Sequence, residues 1–92
     1  MARLTPWQMV VEALKAEGID RVFGLPGNPL HFVADLNQHS DIKPVLVRHE
    51  HSGATLAYAT ARTTGRPAVC FTNPGPGITN LATALLEATC GS

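Results

Sequence analysis

Glu50 stands in the run Arg48-His49-Glu50-His51, one carboxylate among a guanidinium and two imidazoles. A carboxylate placed against a ligand can hold or move a proton, provided that its reach and its pKa both suit the task. A plainer reading of the same residue is an acid at a helix N-terminus, stabilised by the dipole by under about 1 kcal/mol when exposed. Two other segments invite ligand contact, Leu25-Pro26-Gly27-Asn28-Pro29 and Asn73-Pro74-Gly75-Pro76-Gly77. Their glycines let backbone approach a ligand without bulky side chains. Neither segment has the pattern of a Walker loop or a dinucleotide fingerprint. His31, His39, His49 and His51 show no His-x-x-x-His spacing on one helix face, and zinc needs three or four converging ligands. No metal site is expected from them. Cys70 and Cys90 have no metal-ligand spacing either, and both read as structural thiols.

These candidates need elements to hold them. Thr5-Pro6-Trp7-Gln8 combines a cap residue, a proline suited to the first helical position and a Gln able to complete a capping box. Trp7, Val10, Val11 and Leu14 follow at helical spacing, and Gly18 tolerates the positive φ at which a helix stops. Arg21 to Leu25 then reads as a strand entering the first Pro/Gly turn. A second helix is expected at Leu30, Phe32, Val33 and Leu36, and a second strand at Pro44-Val45-Leu46-Val47, whose unbroken apolar character predicts burial on both faces. The segment 51–64 carries Gly53, Ala54, Ala57 and Ala61 on one side. That small-residue face suits close approach to a neighbour, although Ala is also simply a good helix former. A third strand, Ala68 to Thr72, leads into the second Pro/Gly loop, and Ile78, Leu81, Ala82, Leu85 and Leu86 trace the face of a last helix. Alternation of this kind predicts an α/β fold with an open parallel sheet and flanking helices. In such sheets ligands bind beyond the carboxyl ends of the strands, the edge to which all three candidate segments belong.

Composition narrows the partners. The 92 residues carry seven Lys plus Arg against seven Asp plus Glu, so no electrostatic footprint favours nucleic acid or an anionic membrane. Apolar residues make up 45% and charged residues 15%, which favours a folded chain over a disordered one. No apolar run approaches the roughly 20 residues of a membrane span, and the first residues lack the pattern of a signal peptide, so a cytoplasmic location is the default. The α/β alternation stops unfinished at Gly91-Ser92, which reads as a truncation.

Taken together, these residues resemble the pyrimidine-binding domain of thiamine-diphosphate-dependent enzymes, in particular the acetolactate synthase and 2-oxo-acid decarboxylase group. Four segments carry the resemblance in the family's order and with similar spacing: Val22-Phe23-Gly24-Leu25-Pro26-Gly27, Arg48-His49-Glu50, Ala61-Arg62-Thr63-Thr64-Gly65-Arg66-Pro67 and Gly75-Pro76-Gly77-Ile78-Thr79-Asn80. Residues 1–92 would then be part of an N-terminal pyrimidine-binding domain, with its remaining strands and the later domains absent.

The resemblance implies a catalytic role for Glu50. Its carboxylate would hydrogen-bond a ring nitrogen of the cofactor's aminopyrimidine and favour the imino tautomer, whose nitrogen deprotonates the thiazolium carbon. Pro26, Gly27, Asn73, Pro74, Gly75 and Asn80 would contact the cofactor with Glu50. Asn28, His31 and His51 fall at substrate-facing positions, though each also suits an ordinary loop or surface residue. The family's Gly-Asp-Gly segment and later Asn, which hold magnesium against the diphosphate, do not occur in this sequence, so metal ligands are expected outside it and the chain alone is expected to be inactive. The resemblance further implies a small 2-oxo acid substrate, acetolactate-synthase-like carboligation or decarboxylation, and a homo-oligomeric parent, at least a dimer. A different reading keeps the scaffold as a non-catalytic binding or interaction module, which fold alone does not exclude.

Overall fold

The computed structural model describes residues 3–25, 27 and 30–91, without the side chain of Leu30. The expectations placed on Pro26, Asn28, Pro29, Ser92 and the Leu30 side chain lie outside the described residues. Seven elements follow one another: α1 (Pro6–Ala16), β1 (Arg21–Gly24), α2 (Leu30–His39), β2 (Lys43–Leu46), α3 (Glu50–Thr64), β3 (Val69–Phe71) and α4 (Pro76–Gly91).

The first helix starts as its sequence predicts. Thr5 Oγ1 accepts from the Gln8 N–H at 3.2 Å, and Gln8 Oε1 accepts from the Thr5 N–H at 3.0 Å, which completes the capping box. The helix ends at Gly18 with φ 75°. Val11 is buried and Leu14 packs against the core, whereas Val10 is exposed. Trp7 covers Phe32 of α2, with ring centroids 5.2 Å apart.

The strands form a parallel sheet in the order β2-β1-β3. Phe23 pairs with Val45 on one side and Cys70 on the other. Because successive strand residues point to opposite faces, the sheet sorts its side chains into two layers. Val22, Val69 and Phe71 join Val11, Phe32, Leu36 and Ile42 beneath α1 and α2. On the other face Cys70 meets Ala54 of α3, with Leu81 and Ala84 of α4 packed there too. The small face of α3 has the predicted effect: a Cβ on Gly53 would stand 3.5 Å from Gly24 Cα and 3.4 Å from Val47 Cγ2, so the helix lies directly on the β1 backbone.

Two expectations are corrected. The second strand is not buried on both faces, and Leu46 is 54% exposed. It lies at the edge of the sheet, and α3 packs over β1 and β3 instead. Of the apolar face assigned to α4, Leu81 is buried, but Ile78, Ala82, Leu85 and Leu86 are exposed, Leu86 at 62%. The packed stripe is Gly77, Leu81 and Ala84, because the small residues let α4 sit close to the equally small surface of α3.

From β1 the chain moves outward to β2, then crosses to β3 on the opposite flank of β1. Right-handed crossovers therefore carry α2 to one face and α3 to the other. The helices after β1 and β3 lie on opposite faces, so the switch point between these two strands, at the carboxyl edge, is the crevice position at which such sheets take ligands.

Candidate functional site

Glu50 is the first residue of α3 and only 6% exposed. His49 before it is extended, with φ −144° and ψ 138°, and caps the helix through Nδ1, which accepts from the His51 N–H at 3.1 Å. The helix consequently begins with its carboxylate turned inward rather than exposed on the surface. Asn80, on α4, donates its side-chain amide to Glu50 Oε1 at 3.1 Å. Hydrogen bonding from its own backbone N–H, then from Asn80, holds the Glu50 carboxyl below its ordinary value; His49 adds a smaller charge effect in the same direction, and burial opposes all three.

The loop after β3 supplies the opposite wall. Gly75 has φ 74°, a left-handed conformation that suits glycine, and its carbonyl accepts from the Ile78 and Thr79 N–H groups to start α4. Gly77, the second residue of that helix, is buried. A Cβ there would stand 3.3 Å from Glu50 Oε2 and 3.4 Å from Asn73 Cβ, and would collide with Thr72 Oγ1. From the β1 side, Gly27, with φ 137°, reaches the same loop, and a Cβ on it would come within 3.1 Å of Asn73 Oδ1. That oxygen is buried without a hydrogen-bond partner among the described residues. A buried, unpartnered acceptor costs free energy unless a ligand or water donates to it.

The structure thus gathers Gly27, Glu50, Asn73, Gly77 and Asn80 from the three strand-to-helix junctions and the first turns of α3 and α4. Pro74 and Gly75 lie on the exposed side of the second loop. His51 is half-buried beside Glu50, and its Nδ1 lies 3.5 Å from Thr55 Oγ1. His31 is placed elsewhere: it is exposed and lines a cavity of about 320 Å³ with Trp7, Gln8 and Asp35, facing the first turn of α1. Sequence reasoning missed three contributors, namely Gly77 as the bare contact for Oε2, Thr72 packed at the same point, and the His49 cap. The Gly-rich run around Gly77 signalled a close approach but not what is approached.

Among the described residues no three His, Cys, Asp or Glu side chains gather in a way that could hold a metal ion. Cys70 is half-buried, and burial pushes its thiol up; Cys90, expected to be structural, is exposed at the end of α4. Another cavity, of about 390 Å³, lies between α3 and α4, lined by Ala57, Tyr58, Ala61, Cys70 and Leu85 among others. It shares no residue with the crevice. No helix among the described residues is long and apolar enough to cross a membrane.

A parallel α/β domain with a buried carboxylate at the carboxyl edge of its sheet, beside a glycine loop, has the architecture of the doubly wound class, whose ligands bind at that edge. Residues 5–92 match the family model described as "Thiamine pyrophosphate enzyme, N-terminal TPP binding domain". The chain belongs to that family. It is 42% identical over 87 residues to the acetolactate synthase isozyme 1 large subunit of Escherichia coli (strain K12), an overlap of 94% of this chain and 16% of the relative. It is 41% identical over 81 residues to the acetolactate synthase of Bacillus subtilis (strain 168), covering 88% and 14% of the two chains. With the probable 2-ketoarginine decarboxylase AruI of Pseudomonas aeruginosa it shares 44% identity over 86 residues, 92% of this chain and 15% of that protein. The chain therefore spans about a sixth or less of the length of these curated relatives.

Proposed function

We propose that this chain is the aminopyrimidine-binding part of a larger thiamine-diphosphate-dependent enzyme that acts on 2-oxo acids, by acetolactate-synthase-like carboligation or by decarboxylation. The observation that carries the reading is the buried Glu50 carboxylate, set against the bare backbone of Gly77, with hydrogen bonds that favour its ionised form. The crevice residues suit the cofactor's ring. Gly27 and Gly77 bring bare backbone close to Asn73 and Glu50, and Asn73 Oδ1 is an acceptor in need of a donor.

When bound, thiamine diphosphate supplies the carbon nucleophile and the electron sink for cleaving a 2-oxo acid. The chain's own task is proton placement. Glu50 holds a proton at a nitrogen of the aminopyrimidine, and the backbone of Gly27, Asn73 and Gly75, flanked by Pro26 and Pro74, orients the ring. His51, next to Glu50, is the substrate-facing position best supported by its placement; Asn28, which follows Gly27 in sequence, is a second candidate, whereas His31 faces the first turn of α1. Magnesium, which needs hard oxygen ligands and bridges to phosphate, would be held by residues outside this chain. A homo-oligomeric parent, at least dimeric and cytoplasmic, completes the proposal. The exposed Ile78, Leu85 and Leu86 on α4 support an assembled state, because contiguous exposed apolar surface marks contact regions.

Calorimetric titration of thiamine diphosphate with magnesium into the full-length protein and its Glu50→Gln variant tests the reading. Saturable binding by the first, with turnover of a 2-oxo acid nearly abolished in the second, is expected. Absence of binding by the full-length protein would overturn the reading in favour of an interaction module.

A further inference from the structure

Glu50 has two carboxylate oxygens in unlike surroundings. Oε1 accepts the Asn80 amide at 3.1 Å. Oε2 lies against Gly77, where a Cβ would stand only 3.3 Å away. Gly77 and Asn80 are three residues apart on α4 and share one face of its first turn. The carboxylate is thus laid along that turn, with one oxygen tied to a side-chain donor and the other beside a position that has no side chain. No other side chain among the described residues donates to it.

We propose that Asn80 is a positioning residue, whose amide fixes Glu50 by Oε1 so that Oε2 is the oxygen presented to a ligand N–H, with Gly77 letting the helix pack beside that oxygen without an intervening side chain. This assigns Asn80 a role through Glu50 rather than a contact of its own with the cofactor, and it rests on the reading that Glu50 handles a cofactor proton. The chemistry requires such a device. A free carboxylate rotates and offers either oxygen, and a catalytic hydrogen bond works only within a narrow range of distance and direction. A neutral side-chain donor on one oxygen, acting with the hydrogen bond from Glu50's own backbone N–H, selects the rotamer and stabilises the ionised form without occupying the second oxygen with a charged partner. An Arg or Lys in place of Asn80 would bind the same oxygen more strongly but would hold the carboxylate too weak a base to share a proton with a ring nitrogen.

The groups that face Glu50 are few. His49 and His51 lie on its own segment, with Arg48 just before them. The β3–α4 loop and the first turn of α4 present only neutral side chains, those of Thr72, Asn73 and Asn80. Removal of Asn80 should therefore be read directly in the titration of Glu50.

The test uses the full-length protein with carbon-13 label in its Glu side chains and follows the Glu50 carboxyl by NMR without cofactor, the signal being assigned with Glu50→Gln. Asn80→Ala should move its midpoint to higher pH. Asn80→Asp, nearly isosteric and therefore safer for the fold, should move the upper step of the resulting carboxyl pair higher still. Midpoints indistinguishable from that of the unaltered protein in both variants would overturn the proposal. Beside this, calorimetry with thiamine diphosphate and magnesium should find affinity at least about tenfold weaker in Asn80→Ala, the loss of one hydrogen bond to a charged group. Unchanged affinity would also count against it. If the unaltered protein bound no cofactor while the NMR midpoints moved as expected, the functional reading would fail and the contact between Asn80 and Glu50 would stand.

Discussion

Gly77 and Glu50, 27 positions apart in sequence, meet so closely that a Cβ on the glycine would stand 3.3 Å from Oε2 of the carboxylate. The contact joins the first turns of α3 and α4, and it fixes where the site's one buried acid sits relative to the β3–α4 loop.

Replacing Gly77 by Ala sets two effects against each other. In an open helix the change gains about 1 kcal/mol from backbone propensity. Here the new methyl would collide with Thr72 Oγ1, whose hydrogen bond to the Asn73 carbonyl at 3.2 Å would be lost on moving away. Overpacking costs of about 1–3 kcal/mol outweigh the gain. Urea denaturation should find Gly77→Ala less stable, and calorimetry should find its cofactor binding weakened. A variant more stable than the unaltered protein would mean that Thr72 gives way freely.

The lowered Glu50 pKa has a signed consequence for stability. A carboxyl held below its ordinary value of 4.5 by native hydrogen bonds contributes stability that is fully present above that value. The contribution is lost as the pH falls through the folded-state midpoint. Glu50→Gln removes this ionisation, so the difference in urea midpoint between the variant and the unaltered protein should change between neutral pH and the region below 4.5. A difference that stayed constant over that range would contradict the assignment.

Phe32 links α2 to both its neighbours. It is buried, lies against Trp7, and meets the Phe71 ring edge-on with centroids 5.6 Å apart. Truncation to Ala should cost about 3–5 kcal/mol, a large share of the 5–15 kcal/mol that holds a typical domain together. Thermal unfolding should detect a fall in midpoint far larger than for any surface change on α1. A shift of a degree or two would mean that the Trp7 ring collapses into the space.

The capping box offers a milder local test. Thr5→Ala removes the acceptor for the Gln8 N–H, and losses of this kind cost about 1 kcal/mol. Amide exchange in the first turn of α1 should quicken while exchange in β1 does not. Equal acceleration in both would indicate that α1 and the sheet open as one unit.

Much of the architecture was legible because local signals agreed. The capping box, the apolar strands and the Pro/Gly loops each named an element, and their alternation required a parallel sheet. Glu50 was legible as a candidate from its place after a strand. What could not be read was which distant residues it would meet. Asn80 lies thirty positions away, and only the order β2-β1-β3 brings the start of α4 back over α3. The exposure of Leu46 was hidden for a related reason, since an apolar run carries no mark of whether its strand lies at the centre or the edge. The apolar residues of α4 misled because alanine and glycine, not the larger Ile78, Leu85 and Leu86, make the packed stripe.

Gly24, the last residue of β1, is covered on one face by the Phe71 ring, which a Cβ there would meet at 2.6 Å, and approached on the other by Gly53 of α3. Both contacts reach main chain, so the thickness of the molecule at the root of the crevice is set by backbone and one aromatic ring. Residues on the rim could be exchanged for others of different size or charge without altering the separation between the loop carrying Gly27 and the helix carrying Glu50. Such a scaffold keeps a constant gauge, and its specificity can be rewritten from the outside.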